Sequence, residues 1–201
     1  MATVIIALKL SPDMVETGYD VIGVDAGTLK LLDANIRVKY AIGDFDSVSG
    51  KELTRIVGSV DNVIRLNPIK DDSDSESALK LAWELGYDQA IIYGGLGGRI
   101  DHEIVNLRLV YQNPNRVKLI DERNEIVSYK EGTYKIQKRD FPFISFFTQE
   151  EAEISLIGMK YPLDHRTINC RDLYTVSNEI VDEEGTLIVH SGVILTIQSK
   201  D

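Results

Sequence analysis

Short runs rich in Val and Ile alternate with segments of helical period over the first part of the chain. Val4–Leu8, Val21–Val24, Tyr40–Ile42, Val63–Leu66, Ala90–Tyr93 and Val117–Ile120 are such runs, and each reads as a buried strand. Between them, Thr28–Ala34, Lys51–Val57, Ser75–Leu85 and Glu103–Tyr111 carry apolar residues at helical spacing, and Gly86 supplies a C-terminal cap for the third. This alternation predicts an α/β domain over residues 1–122, built on a doubly wound, mostly parallel, Rossmann-like sheet.

After Glu122 the period changes from helical to twofold. Glu125–Tyr129, Thr133–Ile136, Phe143–Phe147, Glu153–Leu156, Glu179–Val181, Leu187–Val189 and Val193–Gln198 read as strands, separated by turn signals such as Lys130-Glu131-Gly132 and Glu183-Glu184-Gly185. Residues 123–201 are therefore expected to form a small all-β antiparallel sandwich.

Composition narrows the function classes. The apolar fraction of 43% over 201 residues excludes a disordered or collagen-like chain. A formal charge of −10 disfavours nucleic acid or an anionic membrane as the main partner. With Cys170 the single cysteine, there is neither an intramolecular disulfide nor a cysteine-rich zinc framework. No apolar run reaches the roughly twenty residues of a membrane span, and no charged-then-apolar leader opens the chain. A cytoplasmic protein is expected.

Three acidic or glycine-rich clusters follow strands of the first domain, where open α/β sheets bind ligands. In Gly43-Asp44-Phe45-Asp46-Ser47, two carboxylates in a glycine-led loop either converge on a divalent cation or form an Asp-rich surface turn. In Lys70-Asp71-Asp72-Ser73-Asp74, Ser73 and Glu76 have capping-box spacing. So many carboxylates exceed what capping requires, and a metal or Lys70 is the compensating charge. In Gly94-Gly95-Leu96-Gly97-Gly98-Arg99-Ile100-Asp101-His102, the glycines allow backbone N–H groups, Gly97 and Gly98 among them, to approach a phosphate at a helix start. Arg99 suits phosphate oxygens, and Asp101 suits metal binding, proton acceptance or simple N-capping; His102 is alternatively an outward residue of the first turn.

These clusters, in this order, resemble the thiamine pyrophosphokinase family, which carries Gly-Asp-Phe-Asp-Ser, an Asp-x-[Thr/Ser]-Asp stretch and Gly-Gly-x-Gly-Gly-Arg-x-Asp-His. In the second domain, Gly158-Met159-Lys160-Tyr161-Pro162-Leu163 and Ser177-Asn178-Glu179 resemble the family's thiamine-binding region, so the likeness covers nearly the whole chain. It implies transfer of a pyrophosphoryl group from ATP to the hydroxyethyl oxygen of thiamine, giving thiamine diphosphate and AMP, with Mg2+ as cofactor and a homodimer whose site lies at the subunit interface. The resemblance further implies metal binding by Asp44, Asp46, Asp71 and Asp74, and catalytic roles for Asp71, Arg99 and Asp101. For ATP and thiamine it implies contacts by Asp25, Gly27, Lys70, Ser73, Gly97, Gly98, Arg99, His102, Ser177 and Asn178. A pyrophosphokinase acting on another heteroaromatic alcohol such as a pterin, and an inactive nucleotide sensor, are the competing readings.

The chain departs from the family pattern in three places. Asp25-Ala26-Gly27 replaces Asp-Gly-Gly, Leu8-Lys9-Leu10 lacks paired glycines after the first strand, and the only tryptophan, Trp83, shares a helical face with Leu79 and Ala82 and is expected in the core. Tyr174 and His165 are either stacking residues for thiamine or ordinary sandwich-surface residues. His190 reads as a strand histidine, and Cys170 as a structural thiol.

Overall fold

The computed structural model describes residues 1–12, 15–16, 18–67, 69 and 71–201; Lys70, expected to bind the nucleotide, lies outside the described residues. The chain forms two compact units, Met1–Leu107 and Arg108–Asp201.

In the first unit, β1 (Thr3–Ala7), β2 (Asp20–Val24), β3 (Tyr40–Gly43), β4 (Asn62–Arg65) and β5 (Gln89–Tyr93) lie parallel in the order β4-β3-β2-β1-β5. Val4, Ile5, Ile6, Ile22 and Ile92 are fully buried, which explains their unbroken apolar sequence. β4, expected to be buried, is instead the sheet's edge in this unit, and Val63 and Ile64 are only half-buried. The helices are α1 (Gly27–Asp33), α2 (Gly50–Ser59), α3 (Asp74–Glu84) and α4 (Ile100–Gln112), the last running on into the second unit. Both α1 and α3 pack against β1 and β2. Ser49 and Glu52 close a reciprocal capping box on α2. At α3, Ser73 Oγ accepts the Glu76 N–H at 3.2 Å. Trp83 is half-buried on α3 rather than in the core, while its expected neighbours Leu79 and Ala82 are buried.

The second unit is all-β after α4. One sheet holds β6 (Val117–Ile120), β7 (Asn124–Tyr129), β13 (Ile194–Ser199) and β9 (Phe143–Phe147), paired antiparallel in that order. The other holds β11 (Leu163–Asn169), β10 (Glu151–Ile157), β12 (Glu184–Ser191) and β8 (Gly132–Gln137), also antiparallel. Ile144, Phe146 and Ile194 of the first sheet share a core with Ile136, Ile154, Leu156, Ile168, Leu187 and Val189 of the second, so the two sheets form a sandwich. Alternating burial along β9 and β12 is the cause: every second side chain faces that core.

Val117–Ile120 is a strand as predicted, paired antiparallel with β7. Two local expectations change. Glu179–Val181 makes only an isolated bridge, Ile180 to Met159. Leu163–Asn169 is a strand with no twofold apolar signal, because it is a sheet edge with a single buried residue, Ile168.

Candidate active site

The strand order of the first unit reverses between β1 and β5, and at such a switch point the loops leaving adjacent strands part and open a crevice. A cleft of about 390 Å³ lies there. Its walls are Leu8, Lys9 and Leu10 after β1, Asp25 after β2, Ser47 after β3, Ser73, Asp74 and Ser75 at the start of α3, and Gly94, Gly95, Gly98, Arg99, His102, Glu103 and Asn106 from the β5–α4 segment.

Asp25 is the centre of its acidic wall. Its backbone is left-handed, φ +47°, and its Oδ1 accepts the Phe45 N–H at 3.1 Å, so the β2 and β3 loops are tied together through one carboxylate. Burial pushes the Asp25 carboxyl up from its ordinary 3.8 to about 6; the Phe45 N–H opposes this, while Asp74 and Asp44 reinforce it, Asp74 also by direct hydrogen bonding. Two carboxylates in hydrogen-bond contact must share a proton or a cation, because their like charges otherwise repel at short range. Hard oxygen donors of this kind fit a hard divalent cation.

The structure thus groups Asp25, Asp44 and Asp74, and leaves Asp46 and Asp71 exposed. The Asp46 N–H donates to Asp44 Oδ1 at 3.0 Å, making an Asx turn in the loop. The charge compensation expected from a metal or Lys70 is partly supplied by Lys80, which pairs with Asp72 at 2.7 Å and Glu76 at 3.0 Å on the outside of α3.

Glycines shape the opposite wall, each for a different reason. A Cβ on Gly94 would lie 2.2 Å from the Ser11 nitrogen, so β5 can pass the tail of β1 only without a side chain. Ser11 fastens that tail: its hydroxyl donates to the carbonyls of Leu8 at 2.6 Å and Tyr93 at 3.2 Å. Gly97 has φ +82°, which makes the turn into α4. The Gly98 N–H, expected to face a phosphate, donates to Glu103 Oε1 at 2.8 Å. Gly27, expected beside the nucleotide, packs against the end of β1, where a Cβ would lie 2.6 Å from the Ala7 carbonyl oxygen. Ala26, at φ −62°, occupies an ordinary helical conformation, so this turn tolerates the loss of the family's glycine.

Arg99 and Asp101 form a two-point ion pair at the mouth of the cleft, with Nε to Oδ1 at 3.1 Å and a terminal nitrogen to Oδ2 at 2.5 Å. The Arg99 hydrogen bonds hold the Asp101 carboxyl down at about 2. While paired, Asp101 is a poor proton acceptor and Arg99 is only half available to an anion. His102 lines the cleft and is exposed.

In the second unit, Asn178 is 5% exposed, and both ends of its amide are engaged. Its Oδ1 accepts the N–H groups of Tyr161 and Glu179, each at 2.9 Å, and its Nδ2 donates to the Tyr161 carbonyl at 2.8 Å. It therefore staples the two segments singled out in the sequence, 158–163 and 177–179, to each other. Ser177 next to it is exposed, with φ +55°, and its N–H donates to Ser145 Oγ at 3.0 Å. One face of each proposed stacking residue is already covered, Tyr174 by Arg166 and His165 by His190. Cys170 is a free, exposed thiol.

Sequence reasoning missed Lys9, Leu10, Ser75, Glu103 and Asn106 as cleft residues. Asn106 is buried and holds the Gly95 carbonyl at 2.9 Å. A polar residue on the apolar face of α4 was the available signal. For Lys9 and Leu10 there was none, since only the strand order puts the switch point after β1.

Comparison with known proteins converges on one family. Residues 14–120 match the family described as thiamin pyrophosphokinase, catalytic domain, and residues 133–194 match thiamin pyrophosphokinase, vitamin B1 binding domain. The chain is 36% identical to thiamine pyrophosphokinase of Bacillus subtilis over 96% of this chain and 94% of that one. The crystal structure of the Bacillus subtilis protein superposes with a TM-score of 0.89 at 35% identity, covering 99% of both chains. A thiamin pyrophosphokinase family protein from Enterococcus faecalis superposes with a TM-score of 0.91 at 29% identity, covering 100% of both. A switch-point cleft with paired carboxylates, the motifs that line it and a match along almost the full length of both chains place this protein in the thiamine pyrophosphokinase family.

Proposed function

We propose that the protein is a thiamine diphosphokinase whose chemistry takes place in the switch-point cleft. The hydroxyethyl oxygen of thiamine attacks the β-phosphorus of ATP, the bond from that phosphorus to the α–β bridging oxygen breaks, and AMP departs with that oxygen. The observation that carries this assignment is the hydrogen-bonded Asp25–Asp74 pair facing a glycine-rich wall that ends in Arg99.

Asp25, Asp44 and Asp74 are the residues that would hold Mg2+, which when bound supplies charge neutralisation for the polyphosphate. The proposed set keeps Asp46 and Asp71, whose loops carry Asp44 and Asp74. Arg99 swings from Asp101 to the phosphoryl oxygens, giving charge-assisted hydrogen bonds that strengthen as negative charge builds. That exchange frees Asp101, whose carboxylate then takes the hydroxyl proton. Ser73 at the start of α3 and the backbone of Gly97 and Gly98 line the phosphate path, with Lys9 an added cation at the β1 tail and Lys70 and His102 further nucleotide contacts. Asp25 and Gly27 act on the nucleotide through the shape of the β2–α1 turn. Ser177 meets the aminopyrimidine, and Asn178 keeps it in place.

A homodimer with its active site at the subunit interface is part of the proposal. Tyr161, Leu173, Tyr174 and Val176 are exposed around the 158–163 and 177–179 segments, an apolar surface of the kind that a partner covers. Among the described residues no helix is long and apolar enough to cross a membrane, and the free thiol of Cys170 supports the proposed cytoplasmic location.

Chromatographic analysis of products from ATP and thiamine tests the assignment. AMP and thiamine diphosphate should form in equal amounts with Mg2+ and not with chelator. AMP formation with a hydroxymethylpterin but not with thiamine, or saturable ATP binding without AMP, would reject it.

A further inference from the structure

In the second unit, the sheet of β8, β10, β11 and β12 gathers two of the chain's three histidines around one glutamate. Among the described residues, Glu153 on β10, His165 on β11 and His190 on β12 each offer a ligand atom, and these atoms all lie within 4.8 Å of one another. Glu153 Oε1 is 2.6 Å from His165 Nδ1, and the two imidazole rings stack with centroids 3.9 Å apart. Ser155 Oγ lies 2.8 Å from His190 Nε2 and accepts the backbone N–H of His165 at 2.9 Å, so it orients the His190 ring and holds the β11 backbone at His165.

Regular pairing would not produce this grouping. The register of β10 shifts against β11 between Ile154 and Leu156, beside His165, and against β12 between Glu153 and Ile154, beside His190. His165 also sits at φ +43°, a left-handed conformation that is uncommon outside glycine. Bulges on both flanks of one strand re-aim side chains, and here they turn both histidines toward Glu153. An open groove lined by Ser155, Pro162, Leu163, Asp164, His165 and His190 adjoins the cluster, leaving room for a solvent ligand.

We propose that Glu153, His165 and His190 form a binding site for a divalent transition-metal cation of the Zn2+ class. Two borderline imidazole nitrogens with one hard carboxylate oxygen make a set that zinc accepts, whereas Mg2+ prefers oxygen donors alone. The cation replaces the proton shared by Glu153 and His165, and rotation of the side chains brings the donors to bonds of about 2.0–2.2 Å. Water from the groove supplies the fourth ligand, and Ser155 serves as the outer partner that orients His190. This site differs in donor chemistry from the aspartate group of the cleft, and it stands independently of the function proposed there.

The test uses the full-length protein stripped with chelator and titrated with Zn2+ in excess Mg2+, followed by calorimetry and by NMR of the imidazole protons. One Zn2+ per chain should bind, shifting the signals of His165 and His190 and leaving those of His102 in place. Co2+ should give the visible absorption of a tetrahedral site. His190→Gln and Glu153→Gln should each weaken Zn2+ binding by about tenfold or more, whereas Cys170→Ser should not change it. Should a variant fail to fold, the wild-type NMR titration decides alone. Zn2+ that moves only His102, binds the variants as tightly as wild type, or fails to bind in the presence of Mg2+ overturns the proposal.

Discussion

The carboxylate of Asp25 fills the space that a side chain on Gly43 would need: a Cβ there would lie 1.8 Å from Asp25 Oδ1. The glycine that opens the Gly-Asp-Phe-Asp-Ser loop is thus set by contact with an acidic residue just past the neighbouring strand. Gly43→Ala should displace the Asp25 carboxylate, lose the Phe45 N–H contact and cost about 1–3 kcal/mol of stability. Its kcat should fall much more than its KM for thiamine changes. A variant with wild-type kcat would show that the Asp25 position is immaterial to catalysis.

The Asp25–Asp74 pair makes the metal-free protein sensitive to pH in an unusual direction. Asp25 is protonated up to about pH 6 when folded, but only to about pH 3.9 when unfolded. Between those values the folded state holds more protons, so stability falls as pH rises through about 4 to 6, and the loss is complete above that window. Asp74→Asn removes the like charge, and at pH 8 it should raise the Tm of the metal-free protein by about a few degrees. The same change should shrink the Tm gain on adding Mg2+. Differential scanning calorimetry with and without the cation measures both. An unchanged Mg2+ response would take Asp74 out of the cation site.

Arg99 and Asp101 lead to a separate expectation about the pH–rate profile. With its carboxyl held at about 2 by Arg99, Asp101 is ionised across the working pH range. The acid limb of kcat/KM therefore belongs to another group, and Asp101→Asn should lower the whole profile without moving that limb. Arg99→Ala should reduce kcat by about a hundredfold or more, because a donor to developing negative charge is lost. If Asp101→Asn retains wild-type turnover, the proton is accepted elsewhere.

Asn178 and Ser177 should separate on substitution although they are adjacent. Asn178→Ala leaves the half-buried N–H groups of Tyr161 and Glu179 without acceptors, at a cost of about 1–3 kcal/mol. The expected drop in Tm is roughly 5–10 °C. Ser177→Ala should keep the wild-type Tm and raise KM for thiamine. Equal losses of stability in both variants would contradict the division into staple and contact.

The linear pattern of residues was enough for the element sequence and for the change from α/β to all-β. Apolar runs, helical spacing and caps act over a few neighbours, and the predicted strands and helices of the first 122 residues appear with bounds shifted by at most three residues. The edge strand β11 escaped because an element with one buried residue carries no periodic signal. The three clusters were also legible, since motif residues are contiguous. Their pairing was not. That Asp25 rather than Asp46 joins Asp74 and that Asn178 is a buried staple follow from strand order and loop packing. Charge and hydrogen bonding act through space over a few ångströms, whereas the residues they join here stand as far as 49 positions apart, as Asp25 and Asp74 do. Local sequence chemistry decided which groups this protein carries, and the tertiary fold decided which of them meet.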